Sequence, residues 1–409
     1  MQADYDVAIV GGGMVGASLA CALAGSPLRT VLIEAVPFRS DAQPSYDERG
    51  LSLSLATQRI LESLAVWPAL APAATPIEHI HVSDRGRFGF VRLHAADMGI
   101  PALGHVAPAR ELGRALLQGV EAAANVELLC PAAVAAARPG LDRVRLEFHD
   151  DIPDLGCRLL VVADGSRSAL RESLGMAAAV KDYGQTAVVA AVSPELPHRN
   201  WAFERFTDTG PLALLPLREN RCVLVYTVPT GEEHGLLAAG DEEFLGRAQS
   251  RFGRRLGRFI KVGARRSYPL VRITARRQAG ERVLLLGNAA HTVHPNGAQG
   301  FNLGLRDAAA LAEHLTGEGV TDPGARTLLQ DYCDARRADQ NRVLRFTDGL
   351  TRLFYNNRPA RIAVRDAGML LLDILPGLKQ GFMRRAMGIG GRQPRLVMGA
   401  PLPGGSRGD

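Results

Sequence analysis

Tyr5-Asp6-Val7-Ala8-Ile9-Val10-Gly11-Gly12-Gly13-Met14-Val15-Gly16-Ala17 stands near the start of the chain, and a second apolar run, Thr30-Val31-Leu32-Ile33, closes on Glu34. The order is an apolar strand, a glycine-rich turn, a helix over Ala17–Ala24 and a second strand with an acid at its end. Each glycine has a separate task. Gly11 permits the tight turn, Gly13 lets the backbone approach a pyrophosphate, and Gly16 lets the helix pack closely on the strand. The helix start, including Met14 and Val15, then presents unpaired N–H groups and the positive end of its dipole to the diphosphate. Glu34, 18 residues after Gly16, is placed to accept hydrogen bonds from ribose hydroxyls. The turn alone could occur in any α/β protein. With strand, helix, second strand and acid all in place, the segment reads as a Rossmann-type dinucleotide site, and it predicts an α/β fold.

Two further segments have the same strand-to-turn form. Arg282-Val283-Leu284-Leu285-Leu286-Gly287-Asn288-Ala289-Ala290-His291 leads into Thr292-Val293-His294-Pro295-Asn296-Gly297-Ala298-Gln299-Gly300-Phe301-Asn302-Leu303-Gly304. A simple dehydrogenase has no use for this second glycine-rich turn. Gly297 and Gly300, set before an apolar helix predicted over Leu303–Leu315, present backbone N–H groups and about half a positive charge. Such a helix end suits the negative charge that a reduced flavin carries, which favours FAD over NAD as the bound dinucleotide. Leu160-Val161-Val162-Ala163-Asp164-Gly165-Ser166-Arg167 is a third strand with an acidic turn. By itself it is equally a capped helix with Asp164 or Ser166 at the N-cap.

The chain has 409 residues, 46% of them hydrophobic and 22% charged, enough to bury a large core in two or three units. The net charge is +6, with Lys only at 181, 261 and 379 among 48 basic residues. These arginines are dispersed and aromatics make up only 5%, a distribution that argues against nucleic acid. Cys21, Cys130, Cys157, Cys222 and Cys333 form neither CxxC pairs nor a metal-ligand cluster, so no metal is expected and the thiols read as reduced. No signal-peptide pattern precedes Val7, and no apolar run approaches the roughly 20 residues that span a bilayer. A cytoplasmic location follows, compatible with a peripheral position on the inner face of the cytoplasmic membrane.

The three strand-turn motifs predict one parallel sheet interrupted by an insertion. The expected division is a nucleotide-binding domain over 1–78, 101–182 and 270–322, a β-sheet substrate domain over 79–100 and 183–269, a helical region over 323–395 and a tail over 396–409. Short strand patterns stand at His81-Val82-Ser83, Phe88–Leu93, Ala187–Val192 and Arg221–Val228, and a helix is predicted over Ala109–Ala123.

The three motifs in this order, with Arg49 in Asp47-Glu48-Arg49 and Arg110 at a helix start, resemble the single-component, class A flavin-dependent aromatic hydroxylases, whose fold is that of para-hydroxybenzoate hydroxylase. His294 to Asp307 resembles the signature of the ubiquinone-biosynthesis hydroxylases. Phe203-Glu204-Arg205-Phe206-Thr207 with Gly210-Pro211-Leu212-Ala213-Leu214-Leu215-Pro216 resembles the 2-polyprenyl-6-methoxyphenol hydroxylase branch. The similarity runs from Tyr5 to about Gly388. Family members usually carry Asp where Asn288 stands; this branch often has Asn. Asn296 and Ala298 replace a more usual apolar residue and Gly.

The resemblance implies that Gly11, Gly13, Gly16 and Glu34 hold the ADP half of FAD, with Val134 offering backbone to the adenine. It places Arg49, Arg110 and Asp164 at the diphosphate or ribityl region and Asn288 at the ribityl hydroxyls. Pro295 would line the isoalloxazine, with backbone N–H groups from Gly300, Phe301 and Asn302. The implied reaction uses NAD(P)H to reduce the flavin and O2 to form a C4a-hydroperoxide, which hydroxylates an electron-rich ring. His294 and His291 are acid–base candidates, although a lone histidine is more often structural. Tyr183, Tyr226 and Arg205 are candidate substrate contacts, with a core position the competing reading for the tyrosines.

A polyprenyl tail, at about 0.8 kcal/mol per CH₂, keeps the implied substrate in the bilayer. Phe346–Gly388 mixes apolar residues with Arg352, Arg358, Arg361, Arg365, Lys379, Arg384 and Arg385, a composition suited to an anionic membrane, to other ubiquinone-biosynthesis proteins, or to a packed subdomain with a solvated basic face. Other readings are a sister hydroxylase acting at another ring position, a hydroxylase of small aromatic acids using Arg205 or Arg218, and a non-enzymatic prenyl-binding protein of FAD fold. The lack of a Gly-Trp-x-Trp-x-Ile-Pro motif argues against a flavin halogenase; the only tryptophans are Trp67 and Trp201.

Overall fold

A computed structural model describes residues 4–38, 49–149, 151–354 and 359–403. Asp47, Glu48 and Arg358, singled out in the sequence, lie outside the described residues, as does the side chain of Arg361.

The strand Tyr5–Val10 is buried on both faces, as a central parallel strand must be. It pairs in parallel with Leu155–Val162 on one side and Thr30–Ile33 on the other. Val283–Leu285 joins beyond the first and Val126–Leu129 beyond the second, again parallel. The period-two alternation sorts their side chains into two cores. Val7, Ile9, Leu32, Leu159, Val161 and Leu284 face the helices Met14–Leu23, Ala109–Glu121 and Gln299–Leu315. Ala8, Val10, Val31, Ile33, Leu160, Val162, Val283 and Leu285 face the other way, onto Val144 and Leu146 of an antiparallel hairpin. The three sequence motifs thus end side by side at one edge of one sheet.

A second sheet of nine strands is mostly antiparallel. Its main path runs from His291–Thr292 through Arg266–Ala275, Ala178–Pro194, Arg221–Pro229, Gly210–Leu217, Trp201–Thr207 and His79–Asp84 to Phe90–His94. Several of these strands cross positions expected as boundaries: one starts at Ala178 rather than 183, and another continues through 269 to Ala275. The bridge from Thr274 to His291 ties this sheet directly to the second glycine-rich segment. One face, with Val188, Leu212, Leu214, Leu224 and Tyr226, packs on Phe244 and Phe252 of the helix Asp241–Phe252. The opposite face looks back toward the glycine-rich turns.

Three helices, Arg326–Phe354, Pro359–Ile374 and Pro376–Ala386, follow. Met369, Met383 and Phe354 join Val91, Leu93 and Phe206 in one core, which seats these helices on the edge of the second sheet. Arg365, expected on a solvated basic face, is instead buried and paired with Asp84. A buried guanidinium needs a carboxylate partner, and the sequence does not show which strand supplies it.

Two boundaries differ locally. The Leu303–Leu315 helix begins earlier, at Gln299, so Gly300 lies in its first turn. The helix after the third motif is capped by Ser168, whose hydroxyl accepts from the Arg171 amide at 3.0 Å, not by Asp164 or Ser166.

The tightest contact in the first motif is at Gly16, where a Cβ would lie 2.0 Å from the backbone oxygen of Gly11. Gly16→Ala is therefore expected to cost about 1–3 kcal/mol, as overpacking against unyielding backbone does. A denaturation midpoint equal to that of the unaltered chain would contradict this reading.

Candidate active site

Between the parallel sheet and the open face of the second sheet lies a cavity of about 600 Å³. Its volume falls in the usual range of small-molecule sites. Gly13, Met14 and Val15 of the first turn, Gly165 and Ser166 of the third, and Asn288 with Pro295–Ala298, Gly300 and Phe301 of the second all line it. The sequence motifs, far apart in the chain, converge on one space.

Gly11 has φ +108°, and a Cβ there would stand 2.4 Å from the Ala163 oxygen, so the first turn closes directly on the third. Gly13 caps the helix Met14–Leu23 with no side-chain hydrogen bond, which leaves the first-turn amides directed to the cavity. Both carboxylate oxygens of Glu34 are engaged by backbone: Gly12 N–H donates to Oε2 at 2.7 Å and Val36 N–H to Oε1 at 2.8 Å. The acid is thereby fixed at the end of its strand with lone pairs still open. Burial raises the pKa of Asp164 above the usual carboxylate range, and its Oδ1 has no hydrogen-bond partner. A glycine cradle, exposed helix-start amides and an orphaned buried acceptor fit the phosphates and hydroxyls of a dinucleotide.

The second turn is shaped by two left-handed residues, Gly297 (φ +66°) and Ala298 (φ +50°). For Ala298 this conformation costs about 1–2 kcal/mol, where the glycine more usual in the family would be unstrained. The following helix has no side-chain cap. Since Ala298 N–H donates to Pro295 O at 2.7 Å, the free amides are those of Gln299, Gly300 and Phe301. Asn302 sits one residue too deep for that role. Its side chain accepts from Ser54 N–H at 2.8 Å and Thr57 Oγ1 at 2.7 Å, and donates to Ser52 O and Ala298 O. It welds the turn to the strand Gly50–Ser54.

Arg49 lines the cavity and stacks on Tyr268, 4.7 Å from the ring centre. Its carbonyl accepts from Ala109 N–H at 2.8 Å, which draws the helix start carrying Arg110 alongside, although Arg110 does not line the cavity. Val134 lies at the start of the Val134–Pro139 strand, two residues past Ala132, whose N–H donates to Glu34 O at 2.8 Å.

The acid–base and substrate candidates fall elsewhere. His294 is fully buried outside the cavity lining. Its Nδ1 accepts from Asn296 N–H at 3.3 Å, Tyr183 packs edge-on at 4.8 Å, and burial pushes its pKa down to about 4. It is neutral and structural. His291 bonds Asp307 Oδ2 at 2.5 Å, and Arg336 bonds the other oxygen at 2.5 Å, so His291 also belongs to a buried network. Tyr183 donates to Asp348 at 3.1 Å, away from the cavity. Tyr226 and Arg205 project from the opposite face of the second sheet: on their strands it is Val225, Thr227 and Glu204 that face the cavity. The alternation of a strand, one residue out of phase with the expected contacts, accounts for both. Glu204 was not singled out in the sequence, where an acid beside Arg205 gives no sign of the face that its strand presents.

The family described as "FAD binding domain" matches residues 4–347. Ubiquinone hydroxylase UbiL of Rhodospirillum rubrum is 40% identical over 403 residues, covering 97% of this chain and 93% of that protein. The 3-demethoxyubiquinol 3-hydroxylase of Escherichia coli is 30% identical over 401 residues, covering 94% and 98%. Among solved structures, p-nitrophenol 4-monooxygenase PnpA of Pseudomonas putida superposes with a TM-score of 0.79 at 17% identity, covering 96% of this chain and all of that one.

Asp307 is held down to about 2, against the cost of its burial, by Arg336 and His291. A carboxylate depressed on folding from about 3.9 stabilises fully above that value, and the contribution is lost as pH falls toward the folded value. Asp307→Asn is thus expected to cost about 3–5 kcal/mol at neutral pH by leaving buried Arg336 undercompensated. Urea unfolding should show this penalty shrinking as the pH is lowered from about 5 to 2; a penalty independent of pH would refute it.

Proposed function

The chain belongs to the FAD-binding-domain family, among the hydroxylases of ubiquinone biosynthesis, and from that premise we propose that it hydroxylates the ring of a polyprenylated phenol of the 2-polyprenyl-6-methoxyphenol kind. NADH or NADPH is the reductant and dioxygen the oxygen donor. When bound, FAD supplies the redox chemistry that joins these two reactants.

The residues proposed to hold FAD are Gly11, Gly13, Gly16 and Glu34 for the ADP half, with Val134 near the adenine, and Arg49, Arg110, Asp164 and Asn288 for the diphosphate and ribityl chain. Pro295 and Gly297 shape the flavin face, and Gly300 and Phe301 offer amides to it. Helix-start amides favour negative charge on the side they face.

The observation that carries the substrate reading is the character of the cavity wall opposite that turn. Ala187, Val189, Ala202, Pro211, Ala213, Leu215, Val223 and Val225 make it aliphatic. An anionic aromatic acid would call for arginine at this wall, yet Arg49, which lines the cavity, is assigned to FAD, Arg205 faces the other way and Arg218 is exposed outside the cavity. Exclusion of water by such a wall also protects reactive oxygen chemistry. A sister hydroxylase acting at another ring carbon is the second reading, favoured by the names of the relatives.

Access to a bilayer-held substrate is proposed through the C-terminal helices. Val364, Leu370, Leu371, Ile374, Leu375 and Leu378 are exposed there, with Arg384 and Arg385 exposed nearby. No described helix is long and apolar enough to cross a membrane, so the proposed contact is interfacial. Lys379 contributes less than its sequence position implied, being drawn to Asp97 and Asp373.

Purified protein is expected to show a flavin spectrum, and a short-chain 2-prenyl-6-methoxyphenol should stimulate NAD(P)H oxidation while gaining one oxygen by mass. Bound flavin without oxygen insertion would point to the sister substrate; absence of flavin after reconstitution would favour a prenyl-binding protein. The double substitution Leu371→Asp and Ile374→Asp should lower sedimentation with anionic phospholipid vesicles about tenfold or more while leaving the flavin spectrum intact. Unchanged sedimentation would remove this face from the membrane contact.

A further inference from the structure

The cavity wall contains one feature that an apolar binding surface does not need. Glu204 stands on the strand Trp201–Thr207, in register with Val82 on one side and Ala213 on the other. The row continues through Val225 to Val189, and Glu204, Ala213, Val225 and Val189 all line the cavity. Among the described residues, Glu204 is the lone acid in the lining. Among the described residues it has no hydrogen-bond or ion-pair partner. Glu204 is half-buried, and holding an unpaired carboxyl against an aliphatic wall costs stability, so packing alone gives no reason for an acid there. Its neighbour Arg205 offers no relief, because the alternation sends that guanidinium to the other face beside Arg255 and Arg85.

We propose that Glu204 binds the substrate's phenolic hydroxyl and takes its proton during ring hydroxylation. The assignment rests on the phenol reading above. The Glu204 carboxylate accepts the hydroxyl proton: the phenol O–H bond breaks, a carboxyl O–H bond forms, and the electron pair left on oxygen enriches the ring carbons ortho and para to it. One of those carbons then bonds to one oxygen atom of the dioxygen-derived donor as its O–O bond breaks; the other oxygen atom leaves as water, with the two electrons that NAD(P)H supplies. As the ring regains aromaticity it loses its carbon-bound proton to water, and the phenolic oxygen recovers the proton from Glu204. The carboxylate ends as it began.

The chemistry of the wall suits this exchange. Burial raises Glu204 to about 7, so at neutral pH both protonation states are populated, the condition under which a general base works well. The other titratable side chains lining the cavity are Arg49 and Tyr268, stacked on each other. Arg49 is assigned above to FAD, which leaves Glu204 as the acid–base group on the aliphatic wall.

The test compares unaltered holoenzyme with Glu204→Gln and Glu204→Leu, using a short-chain 2-prenyl-6-methoxyphenol as probe. Two readouts are taken: the pH profile of kcat/KM for oxygen insertion, and the ultraviolet difference spectrum of the bound phenol across the same pH range. Glu204→Gln should lower oxygen insertion about 100-fold or more, abolish the limb near neutrality and shift ionisation of the bound phenol to higher pH. Flavin content should be unchanged. Glu204→Leu should be equally inactive yet fold at least as stably, since it removes an unpaired buried acid. Equal rates and an unchanged pH profile in Glu204→Gln overturn the assignment while leaving ring hydroxylation standing. An unaltered enzyme that binds the phenol without hydroxylating it contradicts the function proposed above, and the ionisation spectrum then decides Glu204 by itself. No binding of the phenol overturns both.

Discussion

Val15 occupies a notch that only glycine can form on its other two sides. A Cβ on Gly287 would meet its methyl carbons at 3.1 to 3.3 Å, and one on Gly304 would stand 3.0 Å from Cγ2 and 3.4 Å from the Gly287 Cα. The first turn, the second turn and the helix Gln299–Leu315 therefore meet in one van der Waals contact, although nearly 300 residues separate their ends. Close packing of this sort has little tolerance for added atoms. Without it the helix start at Gln299 could not stand beside the helix start at Met14, and the cavity would lose one of its two sets of free amides.

The rest of the molecule holds that arrangement in place. Beneath the second turn, His291, Asp307, Arg336, Asp339 and Arg306 form a buried network: Arg306 Nε bonds Asp339 at 2.9 Å and Arg336 bonds the same carboxylate at 2.7 Å. These charges are compensated in a way that Glu204 is not. In the network, each carboxylate has guanidinium partners that offset desolvation. In the cavity, an acid stands alone against aliphatic groups. The contrast separates residues that serve the fold from one that serves the ligand.

Much of this could be read in the sequence because glycine spacing and apolar runs are local signals. The strands of the segment from Tyr5 to Glu34 and the strand ending near Asp164 lie in one parallel sheet, and the second turn from Gly287 follows the sheet's strand Val283–Leu285, as their patterns implied. What escaped were facts that depend on strand phase and on distant partners. Tyr226 and Val225 are adjacent in sequence, and only the pairing of the sheet decides which one faces the cavity. The pairing of buried Arg365 depends on Asp84, and the lowered pKa of His294 on its burial; neither is visible from a local window. Glu204 was hidden for the same reason, because an acid between Phe203 and Arg205 reads as a solvated edge until its strand is placed.

The central claim is that this cavity directs dioxygen chemistry at the ring of a prenylated phenol. Turnover under isotopically heavy dioxygen, with the product analysed by mass spectrometry, tests it most directly. The account predicts that one heavy oxygen atom appears on the ring and that NAD(P)H is consumed in step with product. A product carrying unlabelled oxygen, or NAD(P)H consumption that yields only hydrogen peroxide, would contradict it.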